Sequence, residues 1–496
     1  MGIVDQVLAL SWNLHAFTVF DRKRQIVRIT FDEVDSPYPF VASLPQSDTE
    51  RILAQRFTVY GGTIERGATL QGITHGPDSV DASIVHSNGT EEQFTCKWLV
   101  GCDGARSAVR HLLKIPFDGG EYREDYVLAD VEYETSLDTT EQYLFSGEQG
   151  VVGFHAFSAN RARIFADLGT SQHASHSGDE CPTDETKPEL PTLEKLQTLM
   201  DERGPGTLRL PTLHWLSMHH IHRRQVKSYR QGRVFLSGDA AHLHSPASGQ
   251  GMNTGIQDAY NLAWKLALVE QAVAHMALLD SYSPERHAVG QGVLTMTDFF
   301  SRINTVRNPL AQRIRNIVGP ILAKQEVILH CYRNAVTELS PNYRRSPAVA
   351  EHKSWFEFSP CPHAGDRAPD GHFYEPGSAK QARLFDLFRH PQHQLLLFAG
   401  LETNDKGLNH VIEIAKFTIA NYASQINVHL LAVDQKLWMN REVSGSTYTD
   451  SDLATHKKYG AKTDCLYLIR PDGYIGFRSM PADKDSFSQY LQTIFL

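Results

Sequence analysis

Apolar and polar positions follow one another along this chain in a rhythm that changes near residues 117, 231 and 339. In the first stretch, apolar residues at 3, 4, 7, 8 and 10 make Met1 to Leu14 an amphipathic helical turn or two. Thr18, Val19, Ile26, Val27, Ile29 and Thr30 are β-branched and predict two strands between Phe17 and Phe31, joined by the polar Asp21-Arg22-Lys23-Arg24 turn. Pro45 to Arg51 starts a helix, with Ser47 as its N-cap and Glu50, three positions on, as the capping-box partner. Lys97 to Arg110 runs a short apolar strand into a Gly-x-Asp-Gly turn and a helix start with Ser107.

From Phe117 to Arg230 the pattern is one of strands and polar loops: Tyr126 to Tyr133, Tyr143 to Phe145, Val151 to Phe157 and Arg161 to Leu168, an antiparallel sheet. Ser171 to Pro191 is acidic, polar and proline-containing, and reads as a mobile excursion. At Arg233 to Ser237 an apolar run of strand length leads into a loop bearing Gly238, Gly249, Gly251 and Gly255. From Ile256 the apolar residues recur at Ala259, Leu262, Ala263 and Leu266, the spacing of a helix. A further helix starts in Leu279 to His287, where Ser283-Pro284-Glu285-Arg286 suits a first turn, and helical sequence continues to about residue 338. Prolines at 341, 347, 360 and 362 make residues 339–362 a linker. Beyond it, strands at Leu395 to Phe398, Ile426 to Val433 and Cys465 to Ile469 alternate with an amphipathic stretch near 406–422. Arg470-Pro-Asp-Gly473 turns the chain into a last strand, Tyr474 to Arg478.

Composition narrows the functions. The chain has 496 residues, enough for two to four domains. Its 48 Lys and Arg against 57 Asp and Glu leave a net charge of −9, against a nucleic-acid binder, which needs a basic face. Six cysteines, at 96, 102, 181, 331, 361 and 465, form no C-x-x-C, which fits a reducing cytosol better than disulfides or a zinc ribbon. No apolar run approaches eighteen residues and no secretory leader opens the chain, so the expectation is a soluble, cytoplasmic protein.

The candidate chemistry lies in the two acid–glycine turns. Missing side chains in the glycine loop let backbone approach a bound molecule, and the following helix start offers it unpaired N–H groups. Asp239, at the strand's end, is placed to accept hydrogen bonds from a sugar-like polyol. His214, His219, His220 and His222 tempt a metal-site reading, and His220 and His222 could share one strand face. No carboxylate or cysteine in the segment completes a set, so no metal is expected.

Gly238-Asp239-Ala240-Ala241-His242, with Pro246 and Gly249-Gln250-Gly251-Met252-Asn253, resembles the ribityl-binding motif of the FAD-dependent aromatic-ring hydroxylases, the single-component flavoprotein monooxygenases. The Asp103-Gly104 turn resembles that family's second motif, at the customary order and separation. The resemblance implies an α/β fold: a Rossmann-like FAD-binding domain interleaved with an antiparallel substrate-binding sheet, plus a thioredoxin-like C-terminal domain as in phenol-hydroxylase-type members. On this reading, residues 1–116 are the first part of the FAD domain, with a substrate-side hairpin at 17–43. Residues 117–230 are the substrate sheet, 231–338 the second FAD part and following helices, and 363–496 the thioredoxin-like domain.

The resemblance also implies a site made of Gln46, Asp103, Arg106, Gly238, Asp239, Pro246, Gly249, Gly251, Met252 and Asn253. FAD is the cofactor, NADPH or NADH the reductant, and O₂ the co-substrate. A flavin hydroperoxide hydroxylates a phenol-like ring, and the resemblance allows a homodimer. It does not single out the acid or base that moves the phenolic proton. The chain departs from the family in having no G-x-G-x-x-G, and so resembles a member without its first dinucleotide-binding unit. Leu401 to Lys406, at the thioredoxin redox position, contains no cysteine, so the last domain is expected to pack or associate rather than do dithiol chemistry. A non-catalytic homologue that binds FAD poorly, and a flavin reductase or halogenase, are the alternatives.

Overall fold

The computed structural model describes residues 1–21, 23–147, 150–170, 190–244, 249–304, 325, 329, 333, 336–353, 361–376, 380–438 and 441–496. The Ser171 to Pro191 excursion, up to residue 189, and most of the helical continuation expected after residue 304 lie outside them. The chain separates into two compact units. One is Met1–Lys227, Gly232–Met252 and Gly290–Glu338; the other is Ser228–Gln231, Asn253–Val289 and Leu339–Leu496.

The first unit is built on an eight-stranded sheet. In order across it run His242–Leu243, Leu213–Val226, Phe117–Glu132, Arg161–Thr170, Gly150–Ala156, Glu141–Gly147, Ala16–Asp21 and Arg24–Thr30. The hairpin expected at 17–31 is present and adds to this sheet. The sheet is antiparallel with one exception, since Ala16–Asp21 runs parallel to Glu141–Gly147. One face is closed by the helix Leu193–Arg203, whose Leu196, Leu199 and Met200 pack on Val127, Ala129, Val131, Val152, Phe154, Ile164 and Ala166. Alternation at period two places those residues on one side and leaves a second, more polar face.

Three expectations near the N-terminus change. Val4–Leu10 is helical, as its spacing predicts, but buries none of its residues, and Trp12–Leu14 is a strand paired with Val41–Ser43. The next helix begins at Gln46, not after Ser47. Pro45 holds the cap position without a side-chain hydrogen bond, and Glu50 takes the Gln46 amide at 2.8 Å instead of closing a capping box. Proline before the first turn fixes the entry of the chain and leaves Ser47 inside the helix.

The second unit holds another eight-stranded sheet, in the order Ala350–Lys353, Ile475–Met480, Cys465–Ile469, His393–Phe398, Ile426–Ala432, Ser446–Thr449, His372–Tyr374, Gln381–Arg383. The helix Asp405–Tyr422 makes the crossover between the parallel strands His393–Phe398 and Ile426–Ala432. His393–Phe398 and Cys465–Ile469 are buried along their whole length, which is why Leu395–Phe398 and Cys465–Ile469 read as unbroken apolar runs. The 339–362 linker is corrected in part. Ala350–Lys353 pairs with Ile475–Met480, and Tyr343 and Ala348 are buried, so residues 339–353 belong to this unit.

A buried carboxylate pins the unit together. Glu285, in the first turn of Tyr282–Asn304, accepts from Arg470 Nη1 at 2.7 Å and Nη2 at 2.9 Å, Lys265 Nζ at 2.7 Å, Asn261 Nδ2 at 2.7 Å and Ser346 Oγ at 2.5 Å. Arg470 also donates to Asp472 in the same Arg-Pro-Asp-Gly turn. Burial alone would raise the carboxyl's pKa, but Arg470 and Lys265 outweigh it and hold it well below the usual range. Burial lowers Lys265, against the pull of Glu285, to about 8. A group with a depressed folded pKa stabilises above its unfolded value, so the Glu285 contribution should fade as pH falls below about 4.5.

A second brace lies in the first unit. Arg110, almost fully buried, donates from Nη2 to the Ala105 carbonyl at 2.7 Å and from Nη1 to the Ala240 carbonyl at 3.1 Å, and its guanidinium lies 4.0 Å from the Phe117 ring centroid. It joins the two acid–glycine turns directly.

Both braces can be tested by unfolding. Glu285→Ala strands buried cations and should lose about 3–5 kcal/mol in urea unfolding; a loss within the noise would show that the network is dispensable. Arg110→Ala removes two charge-assisted hydrogen bonds of roughly 1.5–3 kcal/mol each and should lower the unfolding midpoint clearly, with Arg110→Lys recovering only part of it.

Candidate functional site

Two short parallel strands, Leu99–Gly101 and Val234–Leu236, lie side by side, with Gly101 paired to Leu236 and the Ser237 N–H donating to the Gly101 carbonyl at 3.0 Å. Their carboxyl ends therefore release Asp103 and Asp239 together, and in open α/β sheets ligands sit outside those ends. Gly101 is required there: a Cβ would come within 2.9 Å of Val109 and 3.0 Å of Leu236. Gly238, at φ +60°, turns the chain so that Asp239 stands exposed beyond the strand. Asp103 is also exposed, and one of its carboxylate oxygens accepts from the Val109 N–H at 3.0 Å. Ser107 caps the helix Ala108–Leu112, as expected, by accepting from the Arg110 N–H. Arg106 is exposed.

Past Asp239 the chain enters the substrate-side sheet directly, because His242–Leu243 pairs with Arg224 and Gln225. His244 then stacks beside His242 and lies against Gly251, where a Cβ would be 3.3 Å from its imidazole. The helix starts at Gly251 rather than Ile256, so Gly255 belongs to its early turns and not to a loop. Gly251, Met252 and Asn253 occupy the first turn, where N–H groups have no acceptor within the helix. Gly249, Met252 and Asn253 are exposed and Gln250 is buried. Pro246 lies outside the described residues. Gln46 is exposed at its helix start with its amide on Glu50, and no described hydrogen bond joins it to the turns of Asp103 and Asp239.

The face of the eight-stranded sheet away from the Leu193–Arg203 helix carries a polar row across four strands. Register places His155 opposite Arg163, Arg163 opposite Asp130, and Asp130 opposite Trp215. Arg163 grips Asp130 with two hydrogen bonds, at 2.7 and 3.1 Å, and its guanidinium sits 5.4 Å from the ring centroid of Trp215, an indole 45% exposed. Next to this row Tyr126 stacks on Phe165, with ring centroids 5.1 Å apart, and packs with Val151, Leu128 and Leu144. His155 is half-buried, and neither of its ring nitrogens is hydrogen-bonded among the described residues. Burial, and then the charge of Arg163, lower its pKa to about 4, with Asp130 opposing, so the ring is neutral at neutral pH.

Sequence reading did not single out Arg110 or His155. Nothing local distinguishes Arg110 from Arg106, four residues earlier. His155 carried a usable signal, since it alternates out of phase with the buried Val152, Phe154 and Ala156. For the histidine strand, the partners come from elsewhere: His214 meets Glu132 at 3.2 Å and His222 meets Glu121 at 3.2 Å. The described residues contain no group of three that could hold a metal.

The donor set fits the ribityl and ring side of FAD. An exposed carboxylate for hydroxyl groups stands at the end of the parallel pair, and a glycine-flanked helix start, whose first N–H groups have no acceptor within the helix, comes later in the same loop. Comparisons with known proteins point to the same cofactor. The model of the FAD binding domain family matches residues 1–297. The chain is 30% identical to 6-methylpretetramide 4-monooxygenase of Streptomyces rimosus, over 100% of this chain and 84% of that protein. It is 28% identical to pentachlorophenol 4-monooxygenase of Sphingobium chlorophenolicum, over 97% and 84%. Among solved structures it is similar to the OxyS anhydrotetracycline hydroxylase from Streptomyces rimosus, with TM-score 0.72 and 24% identity over 100% of this chain and 88% of that one. It is also similar to aklavinone-11 hydroxylase in a ternary complex with FAD and aklavinone, with TM-score 0.74 and 22% identity over 99% and 88%. The chain belongs to the FAD-binding-domain family of flavin-dependent aromatic monooxygenases.

Proposed function

We propose that the chain hydroxylates a phenol-like aromatic ring with O₂, using NADPH or NADH as reductant. The observation that carries this reading is the pairing of an exposed Asp239 at the end of the parallel strands with the Gly251 helix start and the sheet that the same loop enters. Bound FAD would supply the electron transfer and deliver one oxygen atom to the ring, the other leaving as water. Asp239 accepts hydrogen bonds from the ribityl hydroxyls. The N–H groups of Gly249 to Asn253 meet negative charge on the pyrimidine edge, which the helix dipole favours. Asp103 and Arg106 stand toward the pyrophosphate, with Gln46 on the flavin side. The polar face of the eight-stranded sheet, with Tyr126, Phe165 and Trp215, forms a wall that holds a flat ring and limits water.

The second unit's crossover helix between parallel strands, followed by an antiparallel pair and a terminal helix, supports reading it as thioredoxin-like. Its role is packing or association, in a homodimer, and a cytoplasmic location is proposed with it. Among the described residues no helix is long and apolar enough to cross a membrane. One sequence fact favours a second reading, weak FAD retention: residues 1–496 contain no G-x-G-x-x-G to seat the pyrophosphate.

Flavin absorbance of the purified protein separates these readings, and product analysis with phenols and NADPH tests the reaction. Asp239→Ala should lower flavin affinity roughly ten- to hundredfold, for a lost charge-assisted hydrogen bond of about 1.5–3 kcal/mol; unchanged flavin content would remove Asp239 from the site. The full chain should show no disulfide reductase activity toward insulin, and robust reduction would contradict the redox-silent reading.

A further inference from the structure

We propose that His155 is the base that takes the phenolic proton during hydroxylation. The inference rests on the phenol reading and adds the residue that the motifs do not supply. Three observations carry it. His155 stands on the sheet face opposite the helix-covered one, in register with Arg163 and beside the Tyr126–Phe165 stack. Neither imidazole nitrogen has a hydrogen-bond partner among the described residues, although the ring is half-buried, so its lone pair is available to a ligand. Arg163, on the neighbouring strand, and Asp130, on the strand beyond it, are the charged groups that bear on it. They are locked to one another by paired hydrogen bonds, so the acid and base of that pair are already engaged and His155 is the group of the row that can take a proton.

The step balances within the known chemistry. As the ring carbon forms its bond to the transferred oxygen, the electron pair of the phenolic O–H bond moves into the ring and the proton passes to an imidazole nitrogen. The phenolic O–H becomes strongly acidic as the ring gives up electron density, so a weakly basic imidazole, at a pKa of about 4, is adequate. The ring carbon then loses its hydrogen to solvent on rearomatising, and the imidazolium returns its proton to the ring oxygen. His155 ends as it began, and the oxidant is the activated oxygen of the family's own reaction.

The kinetic experiment compares the unaltered protein with His155→Gln and His155→Asn on phenols of graded acidity, from 4-methylphenol to 4-nitrophenol, reading product, peroxide and NADPH consumed. Loss of a general base should lower kcat about a hundredfold on the least acidic phenol with little change in KM, and the ratio of unaltered to variant rates should shrink as the phenol becomes more acidic. A merely structural role would lower all phenols equally, and that result, or unchanged rates, overturns the inference while leaving the phenol reading intact. If the unaltered protein hydroxylates none of them, the phenol reading itself fails and His155 with it. A readout independent of turnover uses the unaltered, flavin-free chain. Diethyl pyrocarbonate acylates available neutral imidazoles, and peptide mapping should find His155 acylated and shielded by 4-nitrophenol. An unreactive His155, or one that reacts equally with the phenol present, overturns the assignment, and this test decides even if neither variant folds.

Discussion

The geometry of the two acid–glycine turns depends on one buried cation. Arg110 reaches two carbonyl oxygens, that of Ala105, 5 residues away in the chain, and that of Ala240, 130 residues away. The strands that carry these turns are three residues each, and a pair so short supplies few backbone hydrogen bonds to fix the turns at its ends. A guanidinium offers several donors in a rigid plane, so one side chain can set the spacing of both turns, and the Phe117 ring covers its face. Asp103 and Asp239 can remain exposed because their turns are held from beneath. The polar atoms available to a ligand are thus separate from those that hold the loops.

The second unit uses charge differently. Glu285 collects donors from Arg470, Lys265, Asn261 and Ser346, all brought from distant positions. Taking such charges out of water costs about as much as their attraction returns, so the cluster is poor evidence for net stability. What it can supply is selectivity, because a shifted register at the Arg470–Gly473 turn would leave several buried charges unpaired at once. The helix Gly251–Glu270 contains Lys265 and Asn261, so the body of that helix is fixed by groups far along the chain from it.

Legibility in the sequence divides along the same physical line. Cys465–Ile469 is legible to the residue because it is buried on both faces and ends at a proline–glycine turn, so pattern and turn chemistry agree. The hairpin of Ala16–Asp21 and Arg24–Thr30 is legible for similar reasons, but its parallel pairing with Glu141–Gly147 is not, since pairing between strands so far apart leaves no local trace. Ala350–Lys353 hides in a supposed linker because its Ala-Glu-His-Lys sequence has little apolar alternation and its extended form comes from Ile475–Met480 beside it. The early start at Gly251 escapes the pattern because glycines read as loop, although a helix can tolerate them where later turns pack well. The acid–glycine motifs are legible because their chemistry is local. Arg110 and His155 are not, because Arg110 is defined by a carbonyl far away in the chain and His155 by a residue on the next strand.

The two faces of the eight-stranded sheet place these choices in one element. Toward the Leu193–Arg203 helix, the central strands present Val, Ala, Ile and Phe and nothing charged, as stability alone would select. On the other face the same strands carry His155, Arg163, Asp130 and Trp215 at matching registers, among apolar neighbours that could have continued the pattern. A half-buried imidazole with no hydrogen-bond partner among the described residues lowers stability, and its depressed pKa means that the folded state resists the proton which the unfolded chain takes up below about pH 6.5. Stability therefore declines on acidification through this group between about pH 6.5 and its folded pKa. Groups that oppose stability in this way gather where a ligand is handled, because a donor or acceptor already satisfied by the protein cannot serve a substrate. The contrast between the faces thus separates the side that holds the sheet together from the side that remains chemically open.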